Sequence, residues 1–403
     1  MNFSKEFISN AIFEDSVLTM DYVPKPENYV QLPTHFEIYE DYGRSAILRE
    51  DGSWLIRIDA PNAHKVVFIM EFSDPNELGY AGWRDDPIEA VKNKDGVFEA
   101  VIPWSENKAG PRNVDVYIDD TLILWPYLPI MFSGNRAVNY LEVPALEMEF
   151  SYIKDVPHGS VLNEVFWSKA RNRWERCLVY TPPGYMNGTE SYPVVYLLHG
   201  GYDNETSWVS KGRAQYTLDN LIAEGKCVPM LLVMVNDMYF YPENCGKQIV
   251  DLATEDTLIG DCIPHIETTF RVKADKWNRA IAGLSRGSMM SNDIGLRHPE
   301  VFGNVGAFTS SMFHETFATT YERPWEKVIK NPDKFMENYK VFFASATPQE
   351  DHLPYFIKDG ELMEKAGIAQ RMPGYKRIVH APNLTRWESW RLGLHDFVQL
   401  LFK

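Results

Sequence analysis

The stretch Ala282-Gly283-Leu284-Ser285-Arg286-Gly287 has the residue types of a nucleophile elbow, Gly-x-Ser-x-Gly centred on Ser285. In such a turn the serine adopts a strained backbone geometry that exposes its hydroxyl. The small residues two before and two after it let strand and helix pass closely. Acyl transfer by serine needs three further parts: N–H donors for the oxyanion, a base for the hydroxyl proton, and an acid to orient the base. Arg286 offers one donor through its backbone N–H. The segment Tyr196-Leu-Leu-His199-Gly200-Gly201 ends an apolar run in a glycine loop, where the Gly201 N–H is the expected second donor. In the chain order serine, acid, histidine, the acid follows a strand after the elbow. Phe342-Phe-Ala-Ser-Ala-Thr-Pro-Gln-Glu350-Asp351-His352 puts two carboxylates just past such a run. Asp351 is preferred to Glu350 as the acid; a solvated loop charge is the ordinary alternative for either.

These residues need a scaffold, and the flanking sequence supplies one. Trp277 to Ala282 reads as a short buried strand, Ser288 to Leu296 as a helix, and His298-Pro299 closes it. Strand runs are read at Arg176–Tyr180, Pro193–Leu198, Met230–Val235 and Lys340–Ala344, and helices at Ala214–Glu224 and Leu258–Thr269. The continuous apolar character of Pro193–Leu198 and Met230–Val235 suits strands buried on both faces. Helices alternating with such strands predict a parallel sheet in an α/β fold. Residues 1–150 follow a different pattern. Ser53–Asp59, Lys65–Met70, Val97–Pro103 and Val114–Ile118 are short strand-like runs with turns at Ala60–Ala63 and Asp119-Asp120, which predicts a β-sandwich. The division is therefore 1–150 and 151–403, with the boundary near Val156-Pro-His-Gly159.

The second half resembles the carbohydrate esterase family that contains feruloyl and acetylxylan esterases and enterochelin-esterase-like proteins. The residues that carry the resemblance run from Val156-Pro-His-Gly through Val179-Tyr-Thr-Pro-Pro-Gly-Tyr185, the His199-Gly-Gly loop with Trp208, and Ile263-Pro-His-Ile-Glu267 to Ala280–Ser285. They close with Trp387-x-x-Trp390-Arg391-x-x-Leu394-x-x-Phe397 and Leu400-Leu-Phe402. The resemblance implies an α/β-hydrolase fold with a mostly parallel sheet and esterase activity. It also implies a catalytic histidine two residues before the first tryptophan of the closing motif. That position is Thr385, and threonine cannot serve as a general base near neutral pH. His380, which ends the strand-like Tyr375–Val379, is the nearest replacement, and His352 and His395 are weaker ones. Three outcomes stay open: a displaced base, residual chemistry without one, or lost hydrolysis. The family commonly has a small or apolar residue after the serine and a second glycine after the elbow, where this chain has Arg286 and Ser288. Arg286 puts a cation beside the site, which would favour an acidic substrate, or else it is a solvated first residue of the helix.

The N-terminal half resembles the carbohydrate-binding-like, Ig-like sandwich that often precedes these esterases, through Ile58-Asp-Ala-Pro-Asn-Ala-His-Lys-Val66, Asp95–Val101 and Val116-Tyr-Ile-Asp-Asp120. Sugar recognition needs exposed aromatic faces. Trp83, Trp104, Trp125 and Tyr127 are the candidates, with core or interface packing as the alternative for each.

The 403 residues are enough for two domains with real cores, and 45% hydrophobic and 24% charged residues are ordinary values for a globular protein. A net charge of −16 argues against nucleic acid or an anionic membrane surface as partner. The first residues carry no apolar leader, so a cytoplasmic protein is expected. The cysteines at 177, 227, 245 and 262 have no metal-type spacing and are expected to be reduced thiols; no metal or organic cofactor is indicated. The expected partner is a small-molecule or oligosaccharide ester, with oligomerisation left open. The principal reading is a serine esterase acting on acyl or hydroxycinnamoyl esters of carbohydrate fragments through Ser285, Asp351 and His380, with Gly201 and Arg286 as the oxyanion hole. The alternatives are an esterase-like protein that only binds such a ligand, and a hydrolase of siderophores or other small esters.

Overall fold

The computed structural model describes residues 2–12, 46–70, 87–94, 96–104, 109–236, 252–309, 330–348, 353–380 and 386–403. They divide into two compact units, Met1–Ile153 and Lys154–Lys403.

The described part of the first unit holds ten strands: β1 (Ala46–Leu48), β2 (Trp54–Asp59), β3 (Val66–Met70), β4 (Ile88–Glu89), β5 (Val91–Lys92), β6 (Val97–Ile102), β7 (Gly110–Ile118), β8 (Thr121–Ile123), β9 (Ile130–Ser133) and β10 (Arg136–Val143); β2 and β3 alternate between core and solvent. Every pairing is antiparallel. One sheet runs β1-β2-β6-β5 and the other β4-β3-β7-β10-β9, with β8 on β7. Trp54, Ile56, Ile58 and Phe98 of the first sheet share one core with Val66, Phe68, Val116 and Leu141 of the second, which makes the expected sandwich. Asp119 and Asp120, with φ of 45° and 64°, form the tight turn between β7 and β8.

The second unit is one eight-stranded sheet: β11 (Ser160–Ser168), β12 (Arg173–Thr181), β13 (Val194–Leu198), β14 (Leu231–Val235), β15 (Arg279–Leu284), β16 (Asn304–Phe308), β17 (Val341–Ala346) and β18 (Tyr375–Val379). The order is β11-β12-β14-β13-β15-β16-β17-β18. The first two strands form an antiparallel hairpin on the edge, and the remaining six are parallel. Both faces are covered, which explains the unbroken apolar runs: in β13, Val194, Tyr196 and Leu198 enter one core while Val195 and Leu197 enter the other. Among the covering helices are α1 (Ala214–Ala223) and α3 (Arg386–Val398) on one face, and α2 (Arg286–Arg297) on the opposite face. The single helix expected over Leu258–Thr269 begins as a wider π-turn through Leu258–Cys262 before Ile263–Thr269 becomes α-helical. Asp261 within that turn accepts hydrogen bonds from Ser168 Oγ and the Ala170 N–H, so the wider winding coincides with an anchor for the β11–β12 turn. No described helix is long and apolar enough to cross a membrane.

Candidate active site

All six parallel strands end at one edge of the sheet, and the residues singled out for chemistry follow those ends. β15 leads into Ser285 at φ 48° and ψ −118°, and α2 starts at the next residue. Positive φ costs a non-glycine residue about 1–3 kcal/mol, so the surroundings must enforce it. On one side, the Ser285 N–H donates to Phe308 O at 3.0 Å, extending the β15–β16 pairing past the strand. On the other, Ser285 O accepts from the N–H groups of Ser288 and Met289 at 3.0 and 3.3 Å, and from Ser288 Oγ at 2.6 Å. The serine expected to be a mere departure from a glycine pattern thus ties down the first turn of the helix. The two glycines of the motif have steric reasons: a Cβ on Gly283 would stand 2.5 Å from the Gly287 backbone, and one on Gly287 would overlap His199 O.

The β13 loop lies against this turn. A Cβ added at Gly200 would fall 3.4 Å from Ser285 Cβ, whereas nothing stands within 4 Å of the same point on Gly201. Among the described residues, a side chain at Gly201 would thus meet no clash, unlike one at Gly200. Arg286 is the first residue of α2, which puts its N–H in the opening turn of the helix. His199 supports the loop and lies fully buried. Its Nδ1 is 2.7 Å from Gly200 O and so carries the proton there, while Nε2 is 3.3 Å from the Asn236 side chain at the end of β14.

The closing motif is the brace for this loop. Trp208 Nε1 donates to Leu198 O at 2.9 Å, and its ring packs edge-on to Trp387 with centroids 5.6 Å apart. Trp390 Nε1 donates to Thr309 Oγ1 at 2.7 Å, and Arg391 Nε donates to Lys211 O at 2.7 Å. Lys211 in turn forms a buried ion pair with Asp203 at 2.6 Å. That pair was not anticipated from sequence, although Asp203 stands only two residues past Gly201. At the start of the unit, Asp219 accepts from the Gly159 N–H at 2.9 Å and from Tyr180 Oη at 2.7 Å, and its other oxygen lies 2.9 Å from His158 Nδ1. The Pro-His-Gly motif is thereby pinned to α1.

The acid and the base fare differently. Asp351, Glu350, His352 and Thr385 lie outside the described residues. His380 follows β18 directly; its N–H donates to Ala346 O at 2.9 Å as one more rung of the ladder. Its Nε2 is 3.2 Å from Asp396 Oδ2, and Asp396 Oδ1 is 3.0 Å from His395 Nδ1. Burial raises the Asp396 carboxyl, but hydrogen bonds and charge from His380 and His395 outweigh it and hold it at about 2. From β15 to β18 is three strand spacings, about 14 Å, against the roughly 3 Å that a serine–base hydrogen bond requires. The structure thus brings Ser285, Arg286 and the Gly200-Gly201 loop together, and leaves His380 at the same sheet edge but engaged elsewhere.

Of the aromatic candidates in the sandwich, Trp104 donates from Nε1 to Pro144 O at 2.9 Å and packs edge-on to Phe3. Trp125 packs partly on the core, with Tyr127 edge-on to it at 5.6 Å. Trp83 lies outside the described residues. Cys177, Cys227 and Cys262 are buried free thiols, and Cys245 lies outside the described residues. Among the described residues no histidine, cysteine and carboxylate cluster could hold a metal ion.

Comparison with known proteins agrees with this arrangement. An endo-1,4-β-xylanase/feruloyl esterase from Xylanibacter ruminicola is 31% identical over 399 residues, which cover 95% of this chain and 48% of the relative; the chain thus spans about half of that protein. Among solved structures, the enterobactin esterase of Shigella flexneri superposes with a TM-score of 0.58 at 14% identity, covering 87% of this chain and 94% of that one. A ferulic acid esterase from Anaeromyces mucronatus gives 0.50 at 18% identity, covering 62% and 93%. At such identities the structural likeness establishes the fold, an α/β-hydrolase preceded by an all-β unit. The family model for putative esterases matches residues 168–392, more than half of the chain and all of the elbow, loop and brace, and the protein belongs to that family.

Proposed function

We propose that this protein hydrolyses carboxylic esters, with hydroxycinnamoyl esters on plant polysaccharide fragments as the substrate class and Ser285 as the nucleophile. The observation that carries the reading is the Ser285 turn itself: a non-glycine residue held at φ 48° between two glycines that tolerate no side chain, beside an open glycine loop. Strain of this kind persists where a function needs it. Family membership supports the reaction class, and the 31%-identical relative named for both endo-1,4-β-xylanase and feruloyl esterase supports the substrate class.

In this reading Ser285 Oγ attacks the ester carbonyl carbon. The developing oxyanion takes hydrogen bonds from the backbone N–H groups of Gly201 and Arg286, the sugar alcohol leaves, and water then hydrolyses the acyl-enzyme. Asp351 is the proposed orienting acid past β17. The base is the slow part. For His380 to take the Ser285 proton, its bond with Asp396 must open and the chain after β18 must rearrange across three strands. Removing a triad member, the serine included, leaves roughly 10³–10⁴-fold acceleration over water from the oxyanion hole and binding, so serine chemistry shows as wild-type turnover above the residual rate that Ser285→Ala keeps.

One observation favours a second reading, in which the chain binds esters without hydrolysing them: threonine stands at position 385 while the nearest described histidine is committed to Asp396. Hydrolysis of p-nitrophenyl acetate and methyl ferulate by the wild type and Ser285→Ala separates the two. Wild-type turnover above the variant supports the esterase. Equal background rates leave the binding protein.

A further inference from the structure

The edge hairpin carries an aromatic pair that no part of the catalytic scaffold uses. Trp167 of β11 and Trp174 of β12 face each other across the register, with ring centroids 5.5 Å apart and planes at 82°. They are 45% and 66% exposed, unusual for two tryptophans already in contact. Their rings form a corner, one face as floor and the other as wall.

Their position is informative. β12 runs antiparallel to β14, and Cys177 lies opposite Val235, the last residue of β14. Trp174 is three residues earlier in β12, so it stands past the end of β14, on the edge of the sheet where Ser285 sits. Along that edge Trp174 is about 14 Å and Trp167 about 19 Å from the Ser285 strand, counted as three and four strand spacings. The interval is not bare. Tyr202, next after Gly201, is half exposed at φ 67°. Arg176 Nε donates to Glu205 Oε1 at 2.6 Å, between the loop and the hairpin.

Arg176, on the same face of β12 as Trp174, is matched by Glu205. Arg173 and Arg171 pair with the buried Glu175, which alternation places on the opposite face. The Arg176–Glu205 pair offers the corner donors and acceptors with its charges matched, which suits a neutral polyhydroxylated ligand rather than an anion. A second copy of the chain fits poorly. The four tryptophans of two copies bury about 600–1,000 Å² when fully covered, short of the roughly 1,200 Å² of a small stable interface, and each copy brings a charge of −16.

We propose that Trp167 and Trp174 form a subsite for the neutral pyranose backbone of a polysaccharide ester, holding the sugar chain while its acyl group lies at Ser285. The C–H faces of the sugar stack on the rings, and the Arg176–Glu205 pair bonds its hydroxyls. The proposal rests on the polysaccharide-ester reading above, but its test does not require turnover. Affinity electrophoresis through gels containing unsubstituted β-1,4-xylan is run on Ser285→Ala, alone and combined with Trp167→Ala and Trp174→Ala. Retardation of the parent, weakened roughly tenfold or more in the double tryptophan variant and largely restored by Trp174→Tyr in place of Trp174→Ala, supports the subsite. Equal retardation of parent and tryptophan variants, or none of the parent, overturns it. Light scattering after gel filtration covers the remaining occupant: a parent dimer that the tryptophan substitutions dissolve would assign the face to a second copy and overturn the proposal. An enzyme inactive on every ester, yet retarded by xylan through these rings, would sink only the hydrolytic reading.

Discussion

The two ends of the carboxyl edge of the sheet are built on opposite principles. At the β13–β15 end, backbone fixes everything: the loop after Leu198, the turn at Ser285 and the start of α2 are so close that Gly283 and Gly287 accept no side chain. At the β17–β18 end, the groups proposed for proton transfer are side chains carried past the strands. There Thr385 stands where the family resemblance implies a histidine, and His380 pairs with Asp396. A substitution in the first region disturbs packing throughout the site, whereas in the proposed mechanism one at position 385 removes a proton acceptor. The elbow can therefore outlast the base, because its glycines also hold strand to helix.

The largest expected effect comes from giving the second region what it lacks. Thr385→His restores an imidazole at the family's position, and a positioned general base contributes typically 10²–10⁴-fold. The expected result is a rise of roughly 10²-fold or more in kcat/KM for methyl ferulate; no rise would mean that the elbow side is defective as well. The first region is tested by Gly287→Ala. The added methyl overlaps His199 O, and overpacking with backbone displacement costs about 3 kcal/mol or somewhat more. A denaturant midpoint left unchanged would show that the turn is looser than its contacts indicate.

A smaller effect is expected at Asp396. Its folded carboxyl sits at about 2, below the ordinary value near 3.9, so its contribution is present above about pH 4 and is lost as pH falls through 2. Asp396→Asn should cost roughly 2 kcal/mol at neutral pH, with the gap to wild type closing between about pH 4 and pH 2. A gap independent of pH would mean that the carboxylate charge is not what holds His380.

The first region was legible in the sequence because its constraints are local. Six consecutive residues specify the turn, and the buried strands on either side announce themselves as unbroken apolar runs. β16 was harder: Asn304-Val-Gly-Ala-Phe308 is five residues long and interrupted by Gly306. The edge strand β11 exposes apolar Val161, Val165 and Trp167 at alternate positions, so no polar alternation marks it, and its pairing to β12 depends on a turn that Asp261 ties from a distant helix. The state of His380 could not be read from its neighbours, because Asp396 arrives from the far end of the next helix. For the same reason the Lys211–Asp203 pair and its link to Arg391 came from the folded chain alone.

The most direct test of the central claim is the rate of methyl ferulate hydrolysis by the wild type beside Ser285→Ala, measured at high enzyme concentration to register slow turnover. The expected wild-type rate is low but clearly above that of the variant, which keeps only the residual acceleration from the oxyanion hole and binding. Identical rates would contradict it and leave a folded elbow that performs no chemistry on this ester.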